Sequence, residues 1–309
     1  MKKLCIVLAI LICICGFSAC KKDDHEPLNA IHSFSVEEDA LEQVSGKNAK
    51  VVLLIGQSNA TGLAINSYFE MNDSEEYAKA VAGYDDVLIN YMVDNGTNTS
   101  NGRFEKVVPG QGRNKDFFGP ELGIANQLTG KYDNSTVFIL KYTWSGTVLD
   151  YQWMNGKYGR GELYNAAIEF FKTSLKYIKS KGYNIEIVGT CWMQGESDAF
   201  HEATYIRYYK NTQKMVEYFR KDLKGYSNSE FIFVDAGIAE LENLWVNPTK
   251  INDAKKQYAD ENANAKYFST QELGLTTLNE PVEGPDLAHY DSMSEYTLGK
   301  KFGELIFER

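Results

Sequence analysis

The body of this 309-residue chain is nearly without cysteine. Of five cysteines, Cys5, Cys13, Cys15 and Cys20 fall in the first twenty residues, and only Cys191 lies beyond. One thiol excludes an intrachain disulfide framework and a cysteine-built metal site. Histidine is scarce too: His25, His32, His201 and His289 are the full set. Positive charge is in deficit, with 32 Lys and Arg against 42 Asp and Glu, a net charge of −10 and no long basic run. Phosphate backbones demand clustered Lys and Arg, so a nucleic-acid partner is not expected. The acidic balance suits a soluble protein acting on a neutral substrate without naming one. The apolar run Leu4–Phe17 is the long one; as a helix it would span only ~21 Å of the ~30 Å hydrocarbon core, too little for a permanent membrane span. What remains is 43% hydrophobic and 24% charged, ordinary for a folded domain, and the length suits one large α/β domain.

The N-terminus has the layout of a secretory signal: Lys2 and Lys3, the apolar run, then Ser18, Ala19 and Cys20. Phe17–Cys20 resembles a bacterial lipobox, which implies cleavage before Cys20 and lipidation of its thiol. Lys21-Lys22-Asp23-Asp24 resembles the charged tail that sends some lipoproteins to the outer surface of Gram-negative cells. Residues 1–19 are thus expected to be a signal peptide and residues 20–48, polar and aperiodic, a tether. Residues 49–309 are the domain, held by an outer-membrane lipid anchor on the cell-surface side. The plainer alternative is a secretory peptide with a chance cysteine.

From Lys50 the pattern becomes α/β. Val51–Ile55 is a β-branched-rich run ending at Gly56, and similar runs recur at Val87–Tyr91, Thr136–Tyr142, Ile185–Trp192 and Phe231–Val234. Unbroken apolar runs mark strands buried on both faces, as in parallel sheets; Tyr267-Phe268 suits a short edge strand. Leu163, Ala166, Ala167, Phe170, Phe171, Leu175 and Ile178 form a helical stripe that Gly182 stops. Tyr205, Tyr208, Tyr209, Met215, Val216 and Phe219 line another. Tyr296, Phe302, Leu305 and Ile306 suit a last helix with Ser292 or Ser294 as N-cap. Alternating strands and helices predict a parallel sheet covered on both faces. Residues 93–118, rich in Gly, Asn and charge, read as a long surface excursion of the kind that borders sites, or else as a disordered insertion.

In open parallel sheets, ligands bind beyond the carboxyl ends of strands. Gly56-Gln57-Ser58-Asn59-Ala60 follows the first strand directly, so Ser58 is placed for exposure on a tight turn, with helix N-terminal N–H groups beside it. An N-cap serine is the bland alternative. A nucleophilic serine needs a base. His25 and His32 fall in the tether, and His201 opens a helical stretch as a surface or capping residue. His289 lies in Asp286-Leu287-Ala288-His289 just before the last helix. A spacing of three lets Asp286 reach one imidazole nitrogen while the other faces Ser58; a polar loop with no role is the alternative. Met193-Gln194-Gly195-Glu196-Ser197-Asp198 follows the fourth core strand. Gln194 carries an amide able to donate to an oxyanion, and Glu196 and Asp198 can orient neighbours. Glycosidase or metal chemistry on that carboxylate pair leaves the serine turn and Asp286–His289 unexplained. Trp144-Ser145-Gly146-Thr147 follows the third core strand, where Gly146 offers a backbone N–H or is a simple turn glycine.

Together, G-Q-S-N at 56–59, G-P-E-L-G at 119–123, S-G-T at 145–147, Q-G-E-S-D at 194–198 and D-x-x-H at 286–289 resemble the SGNH hydrolase superfamily, in its sialate O-acetylesterase-like and carbohydrate esterase family 6 branch. The resemblance runs over roughly residues 48–308. It implies a three-layer α/β/α flavodoxin-like fold with a central parallel sheet, no metal and no cofactor. It implies Ser58 as nucleophile, His289 as base with Asp286 as its partner, and Asn59, Glu196 and Asp198 in support. It also implies an oxyanion hole from the Ser58 N–H, the Gly146 N–H and the Gln194 side chain. The chain departs from the pattern twice: Gln194 stands where the superfamily has asparagine, and Ser145 where a second glycine is common. Ala60 in place of the last glycine of G-x-S-x-G argues against an α/β-hydrolase elbow.

The implied activity is hydrolysis of O-acetyl groups from an acetylated oligo- or polysaccharide through an acyl-serine. The single-domain length suits an acetylxylan esterase more than the larger sialate O-acetylesterases. Trp144, Tyr151, Trp153 and Tyr158 are expected to offer stacking surfaces for sugar rings, with Trp144 and Trp153 foremost, or else are ordinary core and surface aromatics. A non-catalytic glycan-binding surface lipoprotein is the alternative from another class, disfavoured because Ser58, Asp286 and His289 are all present. A lipase or thioesterase would need a broad acyl channel.

Overall fold

The computed structural model describes residues 27–226, 230–241, 244–277, 280 and 287–308. Cys20, the signal segment and Asp286 lie outside the described residues. In chain order the elements are β1 (Asn48–Gly56), α1 (Ser58–Thr61), β2 (Ala64–Ile65), α2 (Asn66–Asn72), α3 (Ser74–Ala82), β3 (Val87–Val93), β4 (Asn98–Thr99), β5 (Glu105–Lys106) and β6 (Phe117–Phe118). There follow α4 (Glu121–Leu128), β7 (Ser135–Thr143), α5 (Glu162–Ser180), β8 (Asn184–Met193), α6 (Glu202–Tyr205), α7 (Tyr208–Leu223), β9 (Ile232–Ala236), α8 (Pro248–Glu261), β10 (Ala265–Phe268) and α9 (Ser292–Phe307).

The main sheet runs β10-β9-β8-β1-β7-β3-β4. It is parallel from β10 to β3, and β4 and β5 add antiparallel to β3. All nine residues of β7 and the last six of β1 are buried, as continuous apolar strands between two helix layers must be. Without β3, the strands β7-β1-β8-β9-β10 follow the flavodoxin-like order 2-1-3-4-5. β3 extends that plan outside β7. The order reverses at β1, so the crevice beyond the carboxyl ends of β1, β7 and β8 is the topological switch point where such sheets take ligands.

Several sequence expectations change in the folded chain. Residues 27–47, expected as tether, carry no helix or strand but lie on the domain. The Glu162 carboxylate accepts from the N–H groups of Leu28 and Ala30 at 2.9 and 2.6 Å. Phe34 packs edge-on against Tyr142 and Phe170. Apolar anchors at 28, 30, 34 and 41, spaced without period, hid this packing. Residues 93–118 are not a loose excursion: Val107, Gln111 and Phe118 are buried, and β4 and β5 pair with β3. The N-cap of α9 is Asp291, whose carboxylate accepts from the Ser294 N–H at 2.9 Å, in place of Ser292 or Ser294. The helices α4 and α9 touch backbone to backbone. A Cβ on Gly123 would lie 2.1 Å from the Tyr296 carbonyl oxygen, and one on Gly299 2.1 Å from that of Pro120. That contact absorbs the last glycine of G-P-E-L-G and sets α9, with the segment before it, against the switch point.

Candidate active site

Three strand ends meet at the crevice. β1 ends at Gly56, whose φ of +145° and whose close approach to β8 (a Cβ would sit 1.9 Å from the Met193 carbonyl oxygen) permit glycine alone. The Gln57 N–H then donates to that same Met193 oxygen at 2.9 Å. The chain turns into the single helical turn α1, which starts at Ser58, 8% exposed. Below the turn sits a buried cation. Lys141 on β7 spends its three donors on the Thr61 and Gln111 carbonyls, both 2.8 Å, and on Glu121 at 2.7 Å. Lys141 and Glu121 are both fully buried, so the end of the serine turn is tied to the sheet beneath it.

His289 reaches the turn through Asn59. The Asn59 amide donates to the Ala288 carbonyl at 3.2 Å and accepts from the Tyr290 N–H at 3.2 Å, gripping the backbone on both sides of His289. The same amide donates to Glu196 Oε1 at 2.8 Å. Glu196 is 2% exposed; burial pushes its carboxyl up, opposed by backbone and Asn59 hydrogen bonds and by the charges of Lys255 and His289. His289 lines a cavity of about 180 Å³ with Leu63, Ile65, Arg113, Phe117, Thr277 and Glu280 among its walls. Asn59 joins the serine turn to the histidine segment, and Glu196 accepts from the same amide.

After β7, the Trp144 N–H donates to the Gly56 carbonyl at 3.1 Å, which lays residues 144–147 beside the serine turn. Gly146 has φ +68°, and a Cβ there would meet nothing within 4 Å; its N–H and that of Ser58 meet no acceptor among the described residues.

Gln194 stands differently from expectation. Its side chain is fully buried, and its Nε2 donates to the Thr147 carbonyl at 2.7 Å, Asp198 Oδ2 at 2.7 Å and Gln57 Oε1 at 3.1 Å. Its Oε1 accepts from Tyr208 at 3.0 Å. Three acceptors already compete for two hydrogens, so none is left for an oxyanion. The effect of Gln194 is to hold the oxygen of the Gln57 amide, which leaves the Gln57 Nε2 donors without an acceptor among the described residues. Gln57, beside the serine, was in the matched motif, but spacing cannot tell which of two glutamines spends its amide inward. Asp198 also accepts from the N–H groups of Leu149 at 2.7 Å and Asp150 at 3.3 Å, at the start of a five-residue π-helical turn, Leu149–Trp153. Burial pushes its carboxyl up to about 7.

Trp153 is fully buried, edge-on to Trp192 at 5.1 Å, with its indole N–H on Thr147 Oγ1. It packs the core and cannot stack on a sugar. Trp144 and Tyr151 are half-buried, and Tyr158 is 38% exposed. His201 sits at the start of α6.

The strand-end motifs on a three-layer flavodoxin-like frame define an SGNH-type hydrolase. Over residues 48–308 the chain belongs to the family of carbohydrate esterases described as sialic acid-specific acetylesterases, which are carboxylic ester hydrolases acting on O-acetyl groups. No curated protein matches the chain. Among solved structures it is similar to a protein from Arabidopsis thaliana (17% identity, TM-score 0.61, covering 85% of this chain and 99% of that one). It is also similar to NanS (17% identity, TM-score 0.58, 86% and 98%). At that identity the likeness speaks for the fold.

Proposed function

We propose that the protein hydrolyses O-acetyl esters of a carbohydrate through an acetyl-serine on Ser58. The observation that carries this is the Asn59 clamp, which joins the serine turn to the backbone on either side of His289 at the switch point. Ser58 Oγ attacks the acetyl carbonyl while His289 takes its proton, with Asp286 as the partner that holds the imidazole. The oxyanion receives the N–H groups of Ser58 and Gly146 and, in place of Gln194, the Nε2 of Gln57. Collapse expels the sugar oxygen, which takes its proton from His289. Water then attacks the acetyl-serine with His289 again as base, and acetate leaves.

For the sugar, we favour one bearing a carboxylate, as an O-acetylated sialic acid does. Arg113 on the wall of the His289 cavity makes no ion pair among the described residues, and a free guanidinium matches a carboxylate. A neutral acetylated xylan is the second reading, supported by exposed Tyr158 and half-buried Trp144 after β7. Lipidation at Cys20 is proposed on the Phe17–Cys20 run, and the outer-membrane anchor facing the cell surface on Lys21-Lys22-Asp23-Asp24, from the sequence alone. The test is acetate release from acetylated sialic acid, xylan, pectin and mannan by the full chain and by Ser58→Ala. Ser58→Ala is expected to be inactive on every substrate and on an aryl acetate, with unchanged thermal unfolding. Retained turnover sinks the assignment, and the ranking of substrates decides between the two sugars.

A further inference from the structure

Gly146 is exposed, a Cβ there would meet nothing within 4 Å, and its N–H has no acceptor among the described residues, so no tertiary contact of its own holds this residue. A donor without packing must be oriented by its chain neighbours, or it loses the preorganisation that makes an oxyanion hole effective. On the far side, Thr147 is held: its hydroxyl donates to the Trp144 carbonyl at 2.8 Å, and its carbonyl accepts from Gln194 at 2.7 Å. On the near side the holder is Asp94, at the end of β3. Its Oδ1 accepts from the Ser145 N–H at 2.6 Å and its Oδ2 from the Ser145 hydroxyl at 3.1 Å. That hydroxyl also lies 3.4 Å from Thr61 Oγ1 on the serine turn.

Asp94 is held there at a cost. Asp94 and Asn95 have φ of 44° and 58°, two adjacent non-glycine residues in the left-handed region, which side-chain-bearing residues enter at some strain. Asn95 is braced in turn. It accepts from the Ile31 N–H at 2.8 Å and donates to the Asn29 carbonyl at 3.3 Å. A chain of contacts thus runs from the N-terminal strap through Asn95 and Asp94 to Ser145 and the Gly146 peptide.

We propose that Asp94 is a positioning residue for acetyl transfer: by gripping both the N–H and the hydroxyl of Ser145, it sets the Ser145–Gly146 peptide that points its N–H at the oxyanion. The inference rests on the esterase reading above. It also gives a use to Ser145, the serine that stands where glycine is common: its hydroxyl is the second arm of the grip.

Asp94→Asn keeps the shape of the side chain but removes its charge and one acceptor. The expected result is a loss of about 10-fold to 100-fold in kcat on an aryl acetate with KM nearly unchanged, since a small misplacement acts on the transition state alone. Affinity for a phosphonate transition-state analogue should fall in step with kcat/KM, a response that loosened packing would not give. Ser145→Ala, which leaves the strained corner alone and removes one arm, should fall between Asp94→Asn and the parent; it carries the test if Asp94→Asn fails to fold. An unchanged kcat in both variants, or an effect confined to KM, overturns the proposal. Ser58→Ala is assayed alongside. If it stays active, the esterase reading fails; if it is dead while Asp94→Asn and Ser145→Ala match the parent, only the role of Asp94 fails.

Discussion

Two glutamines divide one task at the residue scale. Gln194 is buried and saturated, and Gln57 lies next to Ser58 with its Nε2 unengaged among the described residues. If Gln57 donates to the oxyanion and Gln194 aims it, Gln57→Ala should cost kcat about 100-fold to 1000-fold with little change in KM, the usual price of one oxyanion donor. Gln194→Ala should also lower kcat, because Gln57 then loses its fixed oxygen partner. The double variant should be scarcely worse than Gln57→Ala, since both act through one donor. Steady-state kinetics of the three proteins measure this; additive losses would mean that Gln194 touches the substrate independently. The resemblance pointed to the Gln194 amide as the oxyanion donor, and the folded chain spends that amide inward. That outcome depends on the Thr147 carbonyl and Asp198, both remote in sequence from Gln57, meeting Gln194 in the folded chain.

Among the elements, the serine turn α1 is too short to be stable alone, as one turn of helix leaves most of its backbone groups outside helical hydrogen bonds. It is held from below by Lys141 and from the side by Asn59. Replacing Lys141 by Met removes the cation while Glu121 stays buried, so stability should fall by about 3–5 kcal/mol. Denaturant unfolding reads this as a lower midpoint at an unchanged m-value. A loss below about 1 kcal/mol would mean that water reaches Glu121 and that the pair does not anchor the turn. The alternation of apolar runs and helical stripes was legible from the sequence for β1, β3, β7, β8, β9, α5 and α7. Those elements bury continuous or periodic apolar surface. The short pieces β4, β5 and β6 and the strap at 27–47 were not legible: they hold their places by hydrogen bonds and single anchors, β4 and β5 on β3, β6 on β2 and the strap on α5, which leave no period to read.

Over the whole molecule, the β7, β8 and α7 segments converge on Asp198, a buried carboxyl raised from 3.8 to about 7. The folded protein holds this proton more tightly than the unfolded chain does. The contribution of the group to stability is therefore greatest below about pH 4 and declines as pH rises to about 7. Asp198→Asn has no such slope. The excess of the parent's melting temperature over that of the variant should accordingly narrow between about pH 4 and about pH 7. A difference that is constant across this range would show the carboxyl to be ionised throughout.

The sequence by itself determined the α/β class and the order of the motifs, and it offered Ser58 and His289 as the candidates. Buried parallel strands and helix faces write their periodicity locally, and histidine is too rare for many pairings. The tertiary structure alone decided that β3 extends the flavodoxin-like order and that Trp153 belongs to the core. It also decided that Gln57 rather than Gln194 keeps a donor to offer and that Asp94 holds the N–H and hydroxyl of Ser145. Each of these depends on which groups from distant strands share a hydrogen bond in three dimensions, and a one-dimensional pattern does not carry that information.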